Sequence, residues 1–298
     1  MTEWLVPDRP VFIGGTGRSG TTIAGRLLGH HRDLRTTNPR ELRFVAADGG
    51  VADAYATATG VLTGRQATTP REVVDRLWAH WYRRVKPSGA TGGLYRRLDP
   101  EPMKGVCQRY VDDFAADPFG ASRHFAETIV SAGEPDDAPR RWVDTTPANA
   151  RVADRVLAVF PEGTVIHMMR DGRDVSASFV SKPFGPTDVF TGLDVWRDRM
   201  VEAWRAEQRC PAERVLRVDL HDLAVTRREE TLAGILAAID VSDDDAMRQW
   251  FNDNVLPQQA HVGRWRRDYD EATAKRIDDR YARILDELDS MGVPYPTP

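Results

Sequence analysis

Cysteine is nearly missing from this chain. Two in 298 residues, Cys107 and Cys210, make neither a disulfide framework nor a zinc-ligand pattern, so a reducing cytoplasm is the expected setting. No stretch approaches the roughly 18 consecutive apolar residues of a membrane-spanning helix. Residues 1–9 carry acidic and polar side chains where a secretory leader would have its apolar segment, so neither a leader nor a membrane partner is expected. Positive charge is not in excess either: 41 Lys and Arg against 45 Asp and Glu give a formal net charge of -4, which argues against bulk nucleic-acid binding. Acidic clusters able to hold a metal ion are missing, so no metal is expected. There is no internal repeat or low-complexity tract.

What is present suffices for a core. Apolar residues make up 41% of the chain, and 29% charged residues is ordinary for a globular protein. The most informative stretch is Val11-Phe12-Ile13-Gly14-Gly15-Thr16-Gly17-Arg18-Ser19-Gly20-Thr21-Thr22. Three apolar residues predict a short buried strand, a glycine-dense turn follows, and residues 23–28 begin a helix. That order aims the free N–H groups of the helix at the loop, where an anion is the favoured guest. The spacing from Gly15 to Gly20 nearly fits the nucleotide-binding pattern G-x-x-x-x-G-K-[ST], but threonine stands at position 21 where the pattern has lysine. The cation is instead Arg18, inside the loop. A charge there crowds a single 5′-phosphate and its substituent, whereas a lysine after the last glycine reaches the terminal phosphates of a nucleoside triphosphate.

Arg18-Ser19-Gly20-Thr21-Thr22 resembles the 5′-phosphosulfate loop of sulfotransferases, enzymes that use 3′-phosphoadenosine-5′-phosphosulfate (PAPS). The arginine with Gly-Thr-Thr is similar to bacterial and tyrosylprotein sulfotransferases. The resemblance implies that Gly17, Arg18, Ser19, Gly20, Thr21 and Thr22 bind the 5′ end of the cofactor. It also implies a general base on a glutamate shortly before an aromatic residue, which Glu41-Leu42-Arg43-Phe44 matches at Glu41, as in the heparan-type enzymes. His30 and His31 are rival bases. A histidine near a helix end more often serves the helix dipole.

The second anchor is Arg170-Asp171-Gly172-Arg173-Asp174-Val175-Ser176-Ala177-Ser178, behind a buried-strand pattern at residues 165–169. Arg170 closes the strand and Ser178 falls two turns along the next helix, so both can converge on one anion at the carboxyl edge of a parallel sheet. The stretch resembles the family's 3′-phosphate motif, Arg-Asp-x-Arg-Asp-x-x-x-Ser, which implies that Arg170 and Ser178 bind the 3′-phosphate of PAP, the product nucleotide. A late basic loop, Gly263-Arg264-Trp265, resembles the family's Gly-x-Trp segment, and Gly263 and Arg264 are its implied cofactor contacts. Two departures stand out. Thr145 takes the place of the family lysine in Asp144-Thr145-Thr146-Pro147, leaving Arg18 alone or with another cation such as Lys182. Leu220 takes the place of a tyrosine that lies near the nucleotide. Asp219, at a strand end, is read as structural.

Elsewhere the pattern predicts a helix over residues 71–86 whose Trp78, Trp81 and Tyr82 are core rather than acceptor pocket. Further helices are predicted over 118–131, from Thr146 through 159, over 193–207, from a Thr226–Glu229 capping box through 239, from Ser242 onward, and along 277–291 with Met291 in the apolar stripe. A strand is predicted at 215–219. Two strand–anchor–helix units imply a P-loop-like α/β fold, a central parallel sheet between helices, as a single domain over 1–298. Residues 45–140 form a mainly helical insertion suited to acceptor recognition. The expected activity is sulfuryl transfer from PAPS to a hydroxyl with Glu41 as base; the acceptor is a small molecule in first preference, a glycan or peptide tyrosine otherwise. A P-loop kinase or NTPase and a non-catalytic nucleotide-binding protein are the alternatives. Oligomeric state is left open.

Overall fold

The computed structural model describes residues 9–85 and 89–296; the opening residues 1–8 and Lys86, the far end of the expected helix over 71–86, lie outside the described residues. Seven strands are described: β1 (Val11–Gly15), β2 (Leu34–Thr36), β3 (Arg84–Val85), β4 (Thr91–Gly92), β5 (Arg141–Asp144), β6 (Thr164–Met169) and β7 (Val215–Asp219). Five of them form a parallel sheet in the order β2-β5-β1-β6-β7, and β3 with β4 make a small antiparallel ribbon. The expected central parallel sheet between helices is therefore present.

Alternation along the strands builds two cores. Phe12, Trp142 and Val165 point to one face, where Phe12 meets Trp142 edge-on at 5.1 Å between ring centres. Val11, Ile13, Val143, Ile166 and Met168 point to the other face and pack on the helices Thr21–Leu28, Arg228–Ala238 and Asp245–Asn254. All five residues of β1 are buried, as a strand covered on both sides requires. A third cluster joins the helices Gly172–Val180, Val189–Glu207 and Glu271–Met291. The register β1 to β6 runs from Val11 opposite Thr164 to Gly15 opposite Met168, so both strands end at one edge.

Local structure departs from expectation where tertiary contacts override pattern. The helix expected over 71–86 stops at Arg76, widens into a π-helical turn over Leu77–Tyr82 and gives way to β3. The Tyr82 hydroxyl donates to Leu98 O at 2.8 Å and Val85 pairs with Thr91, and these contacts draw the chain out of the helix. Val85, placed on the apolar face by the helical reading, is 65% exposed. Thr146 does not cap a helix through 159: its hydroxyl donates to Asp144 at 2.9 Å, and a 3-10 turn, Pro147–Ala150, precedes the helix Ala153–Val159. Thr226 donates to Asp222 instead of capping, and the next helix starts at Arg228. Asp244, rather than Ser242, caps the helix Asp245–Asn254 by accepting from Met247 N at 3.0 Å. Met291 is 39% exposed, so the last apolar stripe ends at Leu288. Among the described residues, no helix is long and apolar enough to cross a membrane.

Candidate active site

A cleft of ≈ 490 Å³ opens at the carboxyl edge of β1, β5, β6 and β7, lined by residues from the loop after β1, from the loop after β2 and from the turn after β5. In open parallel sheets this edge is where ligands bind. Gly20, at φ 100°, turns the chain left-handed into the helix Thr21–Leu28. Among the described residues no side chain caps that helix, and no acid stands in its first turn, so its N-terminal field faces the cleft. Gly14 has another task. A Cβ there would overlap the Ala150 backbone nitrogen, and this close approach seats the 3-10 turn, with Thr146, Pro147 and Ala148, at the cleft wall.

Gly17, Arg18, Gly20, Thr21 and Thr22 line the cleft, whereas Ser19 is buried and its hydroxyl has no hydrogen-bond partner among the described residues. Arg18 Nε donates to the Ser178 hydroxyl at 3.0 Å. Arg170 Nη1 donates to Arg18 O at 3.0 Å and its Nη2 to His261 O at 3.1 Å. Arg18, Arg170 and Ser178 thus form one network. Burial lowers the Arg170 pKa from the ordinary guanidinium value, with Asp174, 3.8 Å away, opposing that shift. The other charges of the motif build the corner. Asp171 accepts from Arg173 N at 2.8 Å as the helix cap, and the Arg173 guanidinium lies over the Trp265 and Tyr281 rings at 4.8 and 4.5 Å. Asp174 accepts from Gly263 N at 2.9 Å and Trp265 N at 3.2 Å, tying the late loop to this corner. Gly263 borders an adjoining cavity of ≈ 290 Å³ shared with Arg170, while Arg264 Nε donates to Asp268 at 2.8 Å.

Glu41 lines the cleft and accepts from Arg43 Nε and Nη2 at 2.9 and 2.6 Å. Its loop is pinned from below. Asp144 accepts from Leu42 N at 2.8 Å, and Thr145 donates from N and Oγ1 to Arg40 O at 2.9 and 3.1 Å. Asp144 is fully buried, and burial pushes its pKa up to about 6 against the opposing bonds from Leu42, Asn149 and Thr146. The rival histidines are engaged elsewhere: His30 donates to Arg26 O at 2.7 Å and stacks on Trp250, and His31 bonds Ser242 O at 2.9 Å. Neither is among the residues lining the cleft. Trp78, Trp81 and Tyr82 pack against the first core. Leu220 lines the cleft beside Gly20.

Residues 10–245 match the model of the sulfotransferase family. The chain belongs to the sulfotransferase family. Against a protein-tyrosine sulfotransferase of Drosophila melanogaster it is 26% identical over 246 residues, 80% of this chain. It spans about two-fifths of that protein's length (39%). The fold is shared with the sulfotransferase domain of the Synechococcus PCC 7002 olefin synthase (TM-score 0.53, 16% identity, 99% of this chain and 98% of the other). It is shared also with the sulfotransferase domain of the curacin biosynthetic pathway (TM-score 0.54, 16% identity, 98% and 99%).

Within this family fold the cleft also holds Arg43, which sits inside the Glu41–Phe44 match without an expected role, and Arg151 and Arg199, which fall in no motif. Arg43 reaches the site through Glu41. Arg151 follows the 3-10 turn and pairs with Glu202 at 2.9 Å. Arg199 lies one turn beyond Trp196 on a helix whose apolar stripe predicts packing only. Thr145 is 2% exposed and is not among the residues lining this cleft, nor is Lys182. Among the described residues no group of three or more His, Cys, Asp or Glu could hold a metal ion.

Proposed function

We propose that this chain transfers the sulfuryl group of PAPS to a hydroxyl acceptor and releases PAP. The observation that carries this reading is that Arg18 and Arg170, which line the cleft with Glu41, are joined in one network with the buried Ser178 behind them. A molecule with phosphates at both its 5′ and 3′ positions needs two cationic anchors opening on one cavity, and these residues fit that need. The uncapped start of the helix Thr21–Leu28 fits an anion at the 5′ end. PAPS supplies a sulfuryl group already activated by a phosphate leaving group.

In this reading Glu41 accepts the proton of the acceptor hydroxyl as its oxygen forms the new bond to sulfur. The bond from sulfur to the phosphate oxygen breaks on the opposite side. Arg18 and the N–H groups of residues 17–22 stabilise the charge collecting on that oxygen. Arg170 and Ser178 hold the 3′-phosphate, for which a planar guanidinium is well shaped, and Gly263 with Arg264 forms the rim beyond them. Residues 45–140 supply the acceptor side of one domain spanning 1–298, with a small hydroxyl compound as the favoured acceptor and a glycan or peptide tyrosine as the others. Ala47 and Asp48 already reach the cleft from that segment. Thermal-shift titration tests the reading: PAP raises the melting temperature without magnesium, and ATP with magnesium does not. No response to PAP would sink it.

A further inference from the structure

Among the described residues five arginines line the cleft, and three of them have a carboxylate within 4 Å. Arg43 pairs with Glu41, Arg151 with Glu202 and Arg170 with Asp174, while Arg18 bonds the Ser178 hydroxyl and has no carboxylate partner. Arg199 hydrogen-bonds no side chain among the described residues. Its Nη1 donates to Thr16 O at 2.5 Å and its guanidinium lies over the Phe179 ring at 5.1 Å. Among the described residues, no carboxylate lies within 4 Å of it. Glu202, whose charge acts on it from farther away, is bonded to Arg151. Burial lowers its pKa and the charge of Arg151 adds to that shift. A half-buried guanidinium without a counter-charge, beside a cleft, calls for an anion.

Its position narrows the choice of anion. Thr16 and Gly17 open the loop directly after β1, so Arg199 sits at the 5′ end of the site. Among the described residues no hydrogen bond or ion pair joins it to Arg170 or His261. Thr145, where the resemblance calls for a cation, is buried against Arg40 O and offers none. We propose that Arg199 is the cation that meets the sulfuryl oxygens of PAPS, an assignment that rests on the PAPS reading above.

Because PAP lacks the sulfuryl group, calorimetric titration of PAPS and of PAP, without acceptor, separates this role from a structural one. Arg199→Gln keeps PAP affinity within about twofold of the parent chain and lowers PAPS affinity about tenfold, the scale of one charge-assisted hydrogen bond. Arg199→Lys, which keeps the charge, recovers most of the PAPS affinity. If the glutamine variant does not fold, Arg199→Met takes its place. An unchanged ratio of PAPS to PAP affinity overturns the assignment, as does an equal loss for both, which would make Arg199 a prop for Thr16. If the parent chain binds neither nucleotide, the PAPS reading itself has failed, a result distinct from either of these.

Discussion

Arg18 and Ser178 stand 160 residues apart in the chain and 3.0 Å apart in the fold. The loop after β1 and the helix after β6 are thereby held in one arrangement before any ligand enters. Arg170 reinforces it by bonding the carbonyl of Arg18 itself. Such preorganisation lowers the cost of ordering the site on binding.

Arg170→Ala removes both the guanidinium and two loop-holding bonds. PAP affinity falls roughly 100-fold, as expected for losing a charge-assisted pair of contacts to phosphate. Ser178→Ala costs about tenfold, the loss of one hydroxyl bond. Titration of PAP into each variant measures both, and unchanged affinity in Arg170→Ala would remove Arg170 from the nucleotide site.

Glu41→Gln keeps the shape of the carboxyl but cannot take a proton. The turnover number drops about 100- to 10,000-fold while PAP binding stays as it was. Steady-state kinetics with any accepted alcohol or phenol decides this. A variant with near-parental kcat would hand the role of base to another group.

Asp144 makes stability depend on pH. Its folded pKa of about 6 lies above the ordinary aspartate value of 3.8, so the folded state binds the proton more tightly than the unfolded state. Stability from this group is therefore fully present below about pH 4 and is lost as pH rises through about 6, by roughly 3 kcal/mol in all. Asp144→Asn has no such proton. Across that window the stability of the parent chain falls relative to the variant, a trend that denaturant unfolding at several pH values reads directly. A constant difference would contradict the burial argument.

Gly14→Ala forces a methyl group into the Ala150 backbone. The clash costs about 3 kcal/mol if neither segment yields, or shifts the 3-10 turn if one does. Unfolding free energy falls in the first case. In the second, kcat falls with stability nearly kept, because Thr146 and Pro147 leave the cleft wall. A variant with parental stability and parental kcat would show that the contact is slack.

The sequence announces β1 and β6 because each couples a short apolar run to a turn that only glycine or an Asp cap satisfies, and both anchors of the site follow from them. β5 gives no such signal. It is four residues long, bounded by Arg141 and Asp144, and becomes a strand through its pairing with β2 on one side and β1 on the other. The break after Arg76 is hidden for the same reason, since the hydroxyl bond of Tyr82 and the pairing of Val85 are long-range facts. Arg199 escapes for a different one. The apolar stripe of its helix says which face is buried and says nothing of which polar neighbour borders the cleft.

The carboxylate of Asp174 and the guanidinium of Arg170 each grip the segment 261–265, which lies past residue 245, where the match to the family model ends. The back wall beside Arg170 is therefore a separate piece of chain fastened on by the motif. Two amides, of Gly263 and Trp265, and one carbonyl, of His261, are the points at which the motif fastens it.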